Sequence, residues 1–337
     1  AFVWLCRRSL AGRDSDVELK AAILVFVASP GLVLLVHLVG YLDHLGLLFV
    51  CAFAAATTSA RTKWQAYAVA ALTGPVLALV HEAQTILFMP VVLFVLACRE
   101  CRAAQGEPAA KSSLFGAAWR AVLPLAAVLA LALGVSAYVS LAAEPRLVGA
   151  LDHWLHQRAD FTLHYGVFRA LKTGTPVSLL DKMYDFWSGP GRLIWWFKAA
   201  VLFLPSYVFL IVCGWRAIGG VDAPSRGVVA ALRGLFLVAC ASPLVLNVVA
   251  WDYARWFALA VSNALICLLA FRASCRARPA EGGGGPLPLA AAMTIALGLA
   301  GDAIFFNGAK VSYYPFFDQW QALGDQIESG KIERPKD

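Results

Sequence analysis

Two apolar stretches joined by a histidine and a glutamate decide the fold: the chain reads WQAYAVAALTGPVLALV at 64–80, HE at 81–82 and AQTILFMPVVLFVLA at 83–97. Each stretch is near the lower limit of length for a helix that spans a bilayer. His81 and Glu82 are therefore predicted to lie at a membrane boundary, where the chain turns back. Holding ionisable groups at membrane depth costs several kcal/mol unless they are partnered, so this pair is a candidate functional site. The plainer alternative is an interfacial pair exposed to water.

The composition indicates an integral membrane protein. Of the 337 residues 60% are hydrophobic and 15% charged, and the mean hydropathy is +0.70. Soluble domains are only about 45–50% apolar. Because no long polar linker divides the chain, we expect one transmembrane domain over 1–306 and a tail at 307–337. The chain begins within an apolar run, Ala1 to Leu5, so we also expect further helices upstream.

The apolar runs predict an all-α, polytopic membrane bundle of about nine transmembrane helices. They lie near 21–39, 45–60, 64–80, 83–98, 119–142, 193–215, 228–250, 256–271 and 287–306. If the runs alternate across the bilayer, one face collects groups of basic residues, including Arg7, Arg61, Arg99, Arg216 and Arg272. The positive-inside rule makes that face cytoplasmic and predicts a multi-pass protein of the inner membrane. The net charge of +7 is thus explained by basic residues on the cytoplasmic face, and no nucleic acid partner is expected.

The opposite face receives a large extracytoplasmic loop at 143–192. A loop of about fifty residues is too long to be a passive connection in a compact bundle. Its segment 147–171 has roughly helical spacing of apolar residues and predicts an amphipathic helix on the membrane surface. A second amphipathic piece follows at 179–187. The tail after 307 is predicted to lie on the same side.

Polar residues at helix ends and in the loop form the candidate site on this outer face. The candidates for catalysis are His81, Glu82, Asp43 and His44, and those for substrate binding are Asp252, Arg255, His153, His156, Arg158 and Trp154. A carboxylate or imidazole can remove a proton from an acceptor hydroxyl, while an arginine stabilises the charge that develops on a leaving phosphate. Whether the helix ends converge is not decided by the sequence.

Each of these groups has a structural alternative. Asp252 and Arg255 are near neighbours if their turn is helical, and they fit a local ion pair equally well. Asp43 fits a helix-terminal cap. The spacing of His153 and His156 is compatible with a metal, but a solvated helix face explains it better. Position 85 is threonine, which excludes the HExxH zinc motif, and no metal or cofactor is assigned.

A basic turn, an apolar helix and a histidine at its end follow one another as Arg61-Thr-Lys63-Trp-Gln-Ala-Tyr, Leu79-Val80-His81-Glu82-Ala83 and Leu87-Phe88-Met89-Pro90. In this order the features resemble the exopolysaccharide and O-antigen polymerases of the Wzy/EpsG type, in which a helix containing proline follows the histidine. The resemblance covers residues 20–98 and, more loosely, Asp252 to Arg255. Glu82 stands where a small residue is usual in that family.

The resemblance implies a fold related to GT-C glycosyltransferases, a polyprenyl-diphosphate-linked glycan as donor, and neither nucleotide sugar nor obligatory metal. His81 is then expected near the catalytic centre, and Arg255 is expected to face the diphosphate. Partners in an envelope polysaccharide assembly pathway are expected as well. Three rival functions stay open: a transporter or flippase, a metal-dependent membrane hydrolase built on the outer histidines, and a structural assembly component.

Overall fold

A computed structural model describes residues 1–11, 16–37, 42–104, 114–142, 149–150, 153–154, 157, 190–221, 225–248, 253–275, 287–300, 302–304 and 311–313. Almost all of this part of the chain is helical, as the sequence predicts. The helices are α1 (Phe2–Leu10), α2 (Val17–Val27), α3 (Pro30–His37), α4 (Asp43–Ser59), α5 (Lys63–Val80), α6 (Glu82–Ala104), α7 (Leu114–Ala142), α8 (Pro190–Gly219), α9 (Arg226–Val245), α10 (Tyr253–Ser274) and α11 (Leu287–Ala300).

Local hydrogen bonds set where several helices begin. At the start of α5, Gln65 N donates to Thr62 Oγ1 (3.3 Å), and Thr62 N donates to Gln65 Oε1 (3.2 Å). This reciprocal capping box satisfies N–H groups that have no partner within the helix. α9 begins in a similar way after Ser225, whose Oγ accepts from Val228 N (3.3 Å).

The predicted span at 21–39 consists of two helices, α2 and α3, which are separated at Ala28 and Ser29. Pro30 has no N–H to donate to the carbonyl of Phe26, and its ring is incompatible with a continuous helix at that carbonyl. Ser29 replaces the lost bond, because its N and its Oγ both donate to Phe26 O, at 3.1 and 2.7 Å. The proline then opens α3, a position that its fixed φ favours.

The core of the bundle is α10. It contacts α1, α2, α3, α4, α6, α8 and α9, and nearly all of its residues are buried. A helix that is apolar on every side is expected at such a position. α4 is different, because it buries a stripe that contains Asp43, Gly46 and Val50 and exposes Leu45 and Leu48 on another side. Leucines on an exposed helix face indicate contact with lipid, since a water-soluble bundle would carry polar residues there.

Polar side chains compensate for Pro243, which lies inside α9. Pro243 cannot donate to Ala239 O, and that carbonyl accepts instead from Asn263 Nδ2 and from Ser242 Oγ, both at 3.1 Å. Asn263 Nδ2 also donates its second hydrogen to Leu87 O on α6 (2.9 Å), and Ser242 Oγ lies 3.0 Å from the same carbonyl, so its single hydrogen is shared between the two carbonyls. These bonds join α6, α9 and α10 deep within the bundle, where an unsatisfied carbonyl is costly.

Three of the described helices are long and apolar enough to cross a membrane: Trp196–Gly219, Arg226–Val248 and Tyr253–Ser274. Asp43–Ser59 and Leu123–Val135 are apolar but shorter. The predicted span at 287–306 ends early, since α11 stops at Ala300 and Asp302–Ile304 pairs as an antiparallel strand with Val311–Tyr313. This pair of short strands departs from the all-α prediction. Glycines at 298 and 301 lower the helix propensity at that point.

Side-chain contacts establish which helix ends lie together. The N-terminal ends of α4, α6 and α10 meet through Asp43, Gln84 and Arg255, and we call this end of the bundle the Asp43 end. The C-terminal ends of α6 and α10 meet at the other end, where Cys275 Sγ donates to Cys98 O (3.4 Å). We call it the Arg272 end, after the buried arginine near the C-terminus of α10.

Candidate functional site

Asp43 is the centre of a buried polar contact between three helices. Its Oδ1 accepts a hydrogen bond from Gln84 Nε2 (2.8 Å), and its Oδ2 accepts one from Arg255 Nε. The Asp43 side chain is 3% exposed and the Arg255 side chain 16%. The structure thus brings together a residue predicted to be catalytic and one predicted to bind substrate, although 212 positions separate them.

Its hydrogen bonds and its place on α4 both stabilise the Asp43 carboxylate in a buried position. A buried charge is strongly unfavourable unless it is paired and its remaining lone pairs are hydrogen-bonded, and both oxygens of Asp43 meet this condition. Asp43 is also the first residue of α4. The positive end of the helix dipole favours a negative charge there.

Arg255 lies against an aromatic ring as well as against Asp43. Its Cζ is 4.6 Å from the centroid of the Trp256 ring, which is a cation–π distance. Trp256 is buried, and its Nε1 has no hydrogen-bond partner among the described residues. Among the described residues, the guanidinium is therefore oriented by the Asp43 carboxylate and by the neutral ring of Trp256.

Gln84 is a member of the site that was not predicted. It is fully buried on the first turn of α6, and its amide oxygen lies against Gly46, where a Cβ atom would come within 1.9 Å of it. The absence of a side chain at Gly46 lets α4 and α6 approach closely enough for Gln84 to reach Asp43. A polar residue three positions after His81 in an apolar run was the available signal.

We expect Gly46→Ala to disrupt this contact, because the new methyl group would also come within 2.4 Å of the Phe88 ring. Overpacking of this kind typically costs about 1–3 kcal/mol of stability. Thermal unfolding of the purified protein in detergent measures the effect. Gly234→Ala on α9 is the matched control, since a Cβ there meets nothing within 4 Å among the described atoms. Equal unfolding temperatures for the two variants would contradict the proposed close packing.

The two candidate histidines of this region make contacts with the backbone. His44 Nε2 lies 2.6 Å from Leu35 O, in the last turn of α3, where carbonyls have no donor within their own helix. His44 therefore links the end of α3 to the start of α4. His81 is exposed, and its Nδ1 accepts from Ala83 N (3.0 Å) at the start of α6. With Nδ1 as acceptor, the neutral ring carries its hydrogen on Nε2.

The structure describes only some of the remaining candidate residues. Glu82 is the first residue of α6, but its side chain lies outside the described residues, as do Asp252, His156 and Arg158. His153 and Trp154 are exposed, and His153 Nε2 is 2.8 Å from Nε2 of Gln157, four positions further along the chain. Within the described residues, no group of three His, Cys, Asp or Glu side chains is arranged to hold a metal ion.

A second ionic cluster lies at the Arg272 end. Arg272 Nη1 is 3.5 Å from Asp16 Oδ2, and Arg272 Nη2 is 3.5 Å from Glu18 Oε2. Arg216 Nε is 3.4 Å from Glu18 Oε1, so the cluster joins α2, α8 and α10. The Arg272 side chain is only 6% exposed. Ion pairs thus fix both ends of the central helix, with a buried carboxylate, Asp43, at one end and the half-buried Asp16 and Glu18 at the other.

The helices and these two ends define a helical membrane protein. Its central helix connects a carboxylate–arginine site at one end to an ionic cluster at the other. Comparisons of the chain with protein-family models, with curated proteins and with solved structures find no match.

Proposed function

We propose that this protein is a membrane glycosyltransferase, of the polysaccharide polymerase type, that uses polyprenyl-diphosphate-linked sugars at the Asp43 end. The observation that supports the proposal is the contact between Asp43, Gln84 and Arg255. Glycosyl transfer from a diphosphate donor needs a proton acceptor and a cation close together. This site contains one of each, positioned by three different helices.

In the proposed reaction the Arg255 guanidinium binds the diphosphate, a task for which its planar fork is well suited. Asp43 accepts the proton of the acceptor hydroxyl, whose oxygen forms a bond to the anomeric carbon. The bond from that carbon to the phosphate oxygen breaks, and its electron pair leaves with the lipid diphosphate. His81, with its hydrogen on Nε2, acts as a hydrogen-bond donor that orients a substrate oxygen rather than as the base.

The membrane topology belongs to the same proposal. The chain crosses the inner membrane about nine times, a number based on its apolar runs. Arg99, Arg216, Arg233 and Arg272 gather at the Arg272 end, so the positive-inside rule makes that end cytoplasmic. The Asp43 end then faces outward, where lipid-linked glycans are polymerised in the family that the sequence resembles.

Conservative substitutions test the proposal in membranes of the native host, with the full-length gene expressed at matched protein levels. We expect Arg255→Lys and Asp43→Asn to reduce glycan polymer about 10²-fold, leaving single lipid-linked repeats, because lysine lacks the planar fork that binds the diphosphate and asparagine cannot accept the proton of the acceptor hydroxyl. Arg233→Lys is the matched control, since Arg233 also lies over a tryptophan ring (Trp215, 4.3 Å) but at the Arg272 end. Normal chain lengths in both site variants would refute the proposal.

A transporter for lipid-linked glycans is the second candidate, and the break between α2 and α3 favours it. Discontinuous helices often form the substrate sites of transporters. The ion pairs of this bundle lie at the helix ends rather than midway, which favours the enzyme. Purified protein in liposomes separates the two functions: a transporter moves the labelled lipid-linked glycan across the bilayer without lengthening the glycan.

A further inference from the structure

Asp43, which contacts Arg255 in the structure, and the donor diphosphate compete for the same guanidinium if the proposed function holds. This inference rests on that function. We infer that the Arg255–Asp43 ion pair is a latch that the donor opens. The lipid diphosphate takes over the guanidinium, and the released Asp43 carboxylate becomes available to the acceptor hydroxyl.

The contacts of Asp43 explain why the latch has to open before transfer. Both carboxylate oxygens already accept a hydrogen bond, and the side chain is 3% exposed. A diphosphate bound beside this carboxylate would also place like charges next to each other, which is unfavourable. Proton acceptance by Asp43 and phosphate binding by Arg255 are therefore compatible only after the two side chains separate.

The surroundings stabilise both partners after separation. Asp43 retains its bond to Gln84 and its position at the positive end of α4. Arg255 retains the ring of Trp256. A diphosphate offers several oxygens and more charge than a carboxylate, so its contacts with arginine are stronger in the exchanged state. The buried Trp256 Nε1, which has no acceptor among the described residues, is a further donor for a phosphate oxygen.

Binding of a diphosphate to the purified full-length protein in nanodiscs tests the latch, with geranylgeranyl diphosphate as the probe and calorimetry as the measurement. Asp43→Asn removes the competing charge but keeps an acceptor for Gln84, so we expect about tenfold tighter binding. Gln84→Leu removes the bond that stabilises the released Asp43. We expect this variant to bind the probe several-fold more weakly, although Gln84 itself does not contact the diphosphate.

The opposite signs of these two effects distinguish the latch from a simple loss of structure, which would weaken binding in both variants. Asp43→Asn binding no more tightly than the wild type overturns the latch. If Arg255→Gln loses binding at the same time, the phosphate role of Arg255 in the proposed function survives. If Arg255→Gln binds as the wild type does, that role fails as well. Inorganic pyrophosphate binding as tightly as the lipid probe would overturn the assignment to a lipid donor.

Discussion

Replacing Arg255 by alanine is expected to lower the free energy of unfolding by about 3–5 kcal/mol, the usual cost of leaving a buried charge without its partner. Asp43 would retain only Gln84 and the helix dipole, in a position where its side chain is 3% exposed. The double variant Asp43→Ala/Arg255→Ala removes both charges, and we expect it to recover part of the loss. Thermal unfolding of the purified full-length protein in detergent gives the free energy of unfolding of the wild type, of the single variants Arg255→Ala and Asp43→Ala, and of the double variant.

Arg233→Ala is the control for this comparison of single and double variants. Arg233 is a half-buried arginine that donates from Nε and Nη2 to the neutral carbonyl Trp215 O, at 3.3 and 3.2 Å, so its loss leaves no buried charge behind. We expect its free energy of unfolding to fall by about 1 kcal/mol, the usual contribution of a hydrogen bond, which is well below the loss expected for Arg255→Ala. Single-variant losses that simply add in the double variant would show that Asp43 and Arg255 are not energetically coupled.

Arg272→Ala is expected to have an effect of similar size at the other end of α10. It would remove the cation between Asp16 and Glu18, whose side chains are 14% and 12% exposed. Glu18 would retain Arg216, but Asp16 would lose its ion pair with Arg272. We therefore expect a loss of about 3–5 kcal/mol in the same unfolding measurement.

Arg226→Ala provides the comparison for this prediction. Arg226 is an exposed arginine at the first position of α9, in the same part of the bundle. Its replacement is expected to change stability by no more than about 0.5 kcal/mol. If Arg272→Ala unfolds at the temperature of Arg226→Ala, the buried ionic cluster does not hold α2 and α8 against α10.

Much of the helical fold could be predicted because a helix that crosses a bilayer has to be a continuous run of apolar residues. The runs at 45–60 and 64–80 correspond closely to α4 and α5, whose starts carry an acidic residue and a capping box. The break in 21–39 was missed because Ser29 can satisfy the carbonyl that Pro30 leaves open, and run length alone does not reveal this. The positive-inside rule predicts which ends of the helices lie on the same side of the membrane. It does not predict which helix lies at the centre of the bundle.

The candidate site could be predicted only by residue type. The sequence shows Asp43 and Arg255 only as charged residues at separate helix ends. Their pairing depends on how the helices pack, which the sequence does not show. Gln84 carries only a weak signal, because a single neutral amide in an apolar run does not show what it will contact. Its role depends on Gly46, a small residue on another helix that permits the close approach. The contact of His44 with Leu35 O likewise depends on how two consecutive helices meet.

Transfer by the purified full-length protein in nanodiscs is the most direct test of the central claim that the Asp43–Arg255 site catalyses glycosyl transfer. The donor is a polyprenyl-diphosphate-linked glycan isolated from the native host, and the products are the lengthened glycan and free lipid diphosphate. We predict that the wild type forms both in equal amounts and that Asp43→Asn forms about 10²-fold less of each while it still binds the donor. Equal product formation by Asp43→Asn, or none by a folded wild type supplied with its native lipids, would contradict the claim.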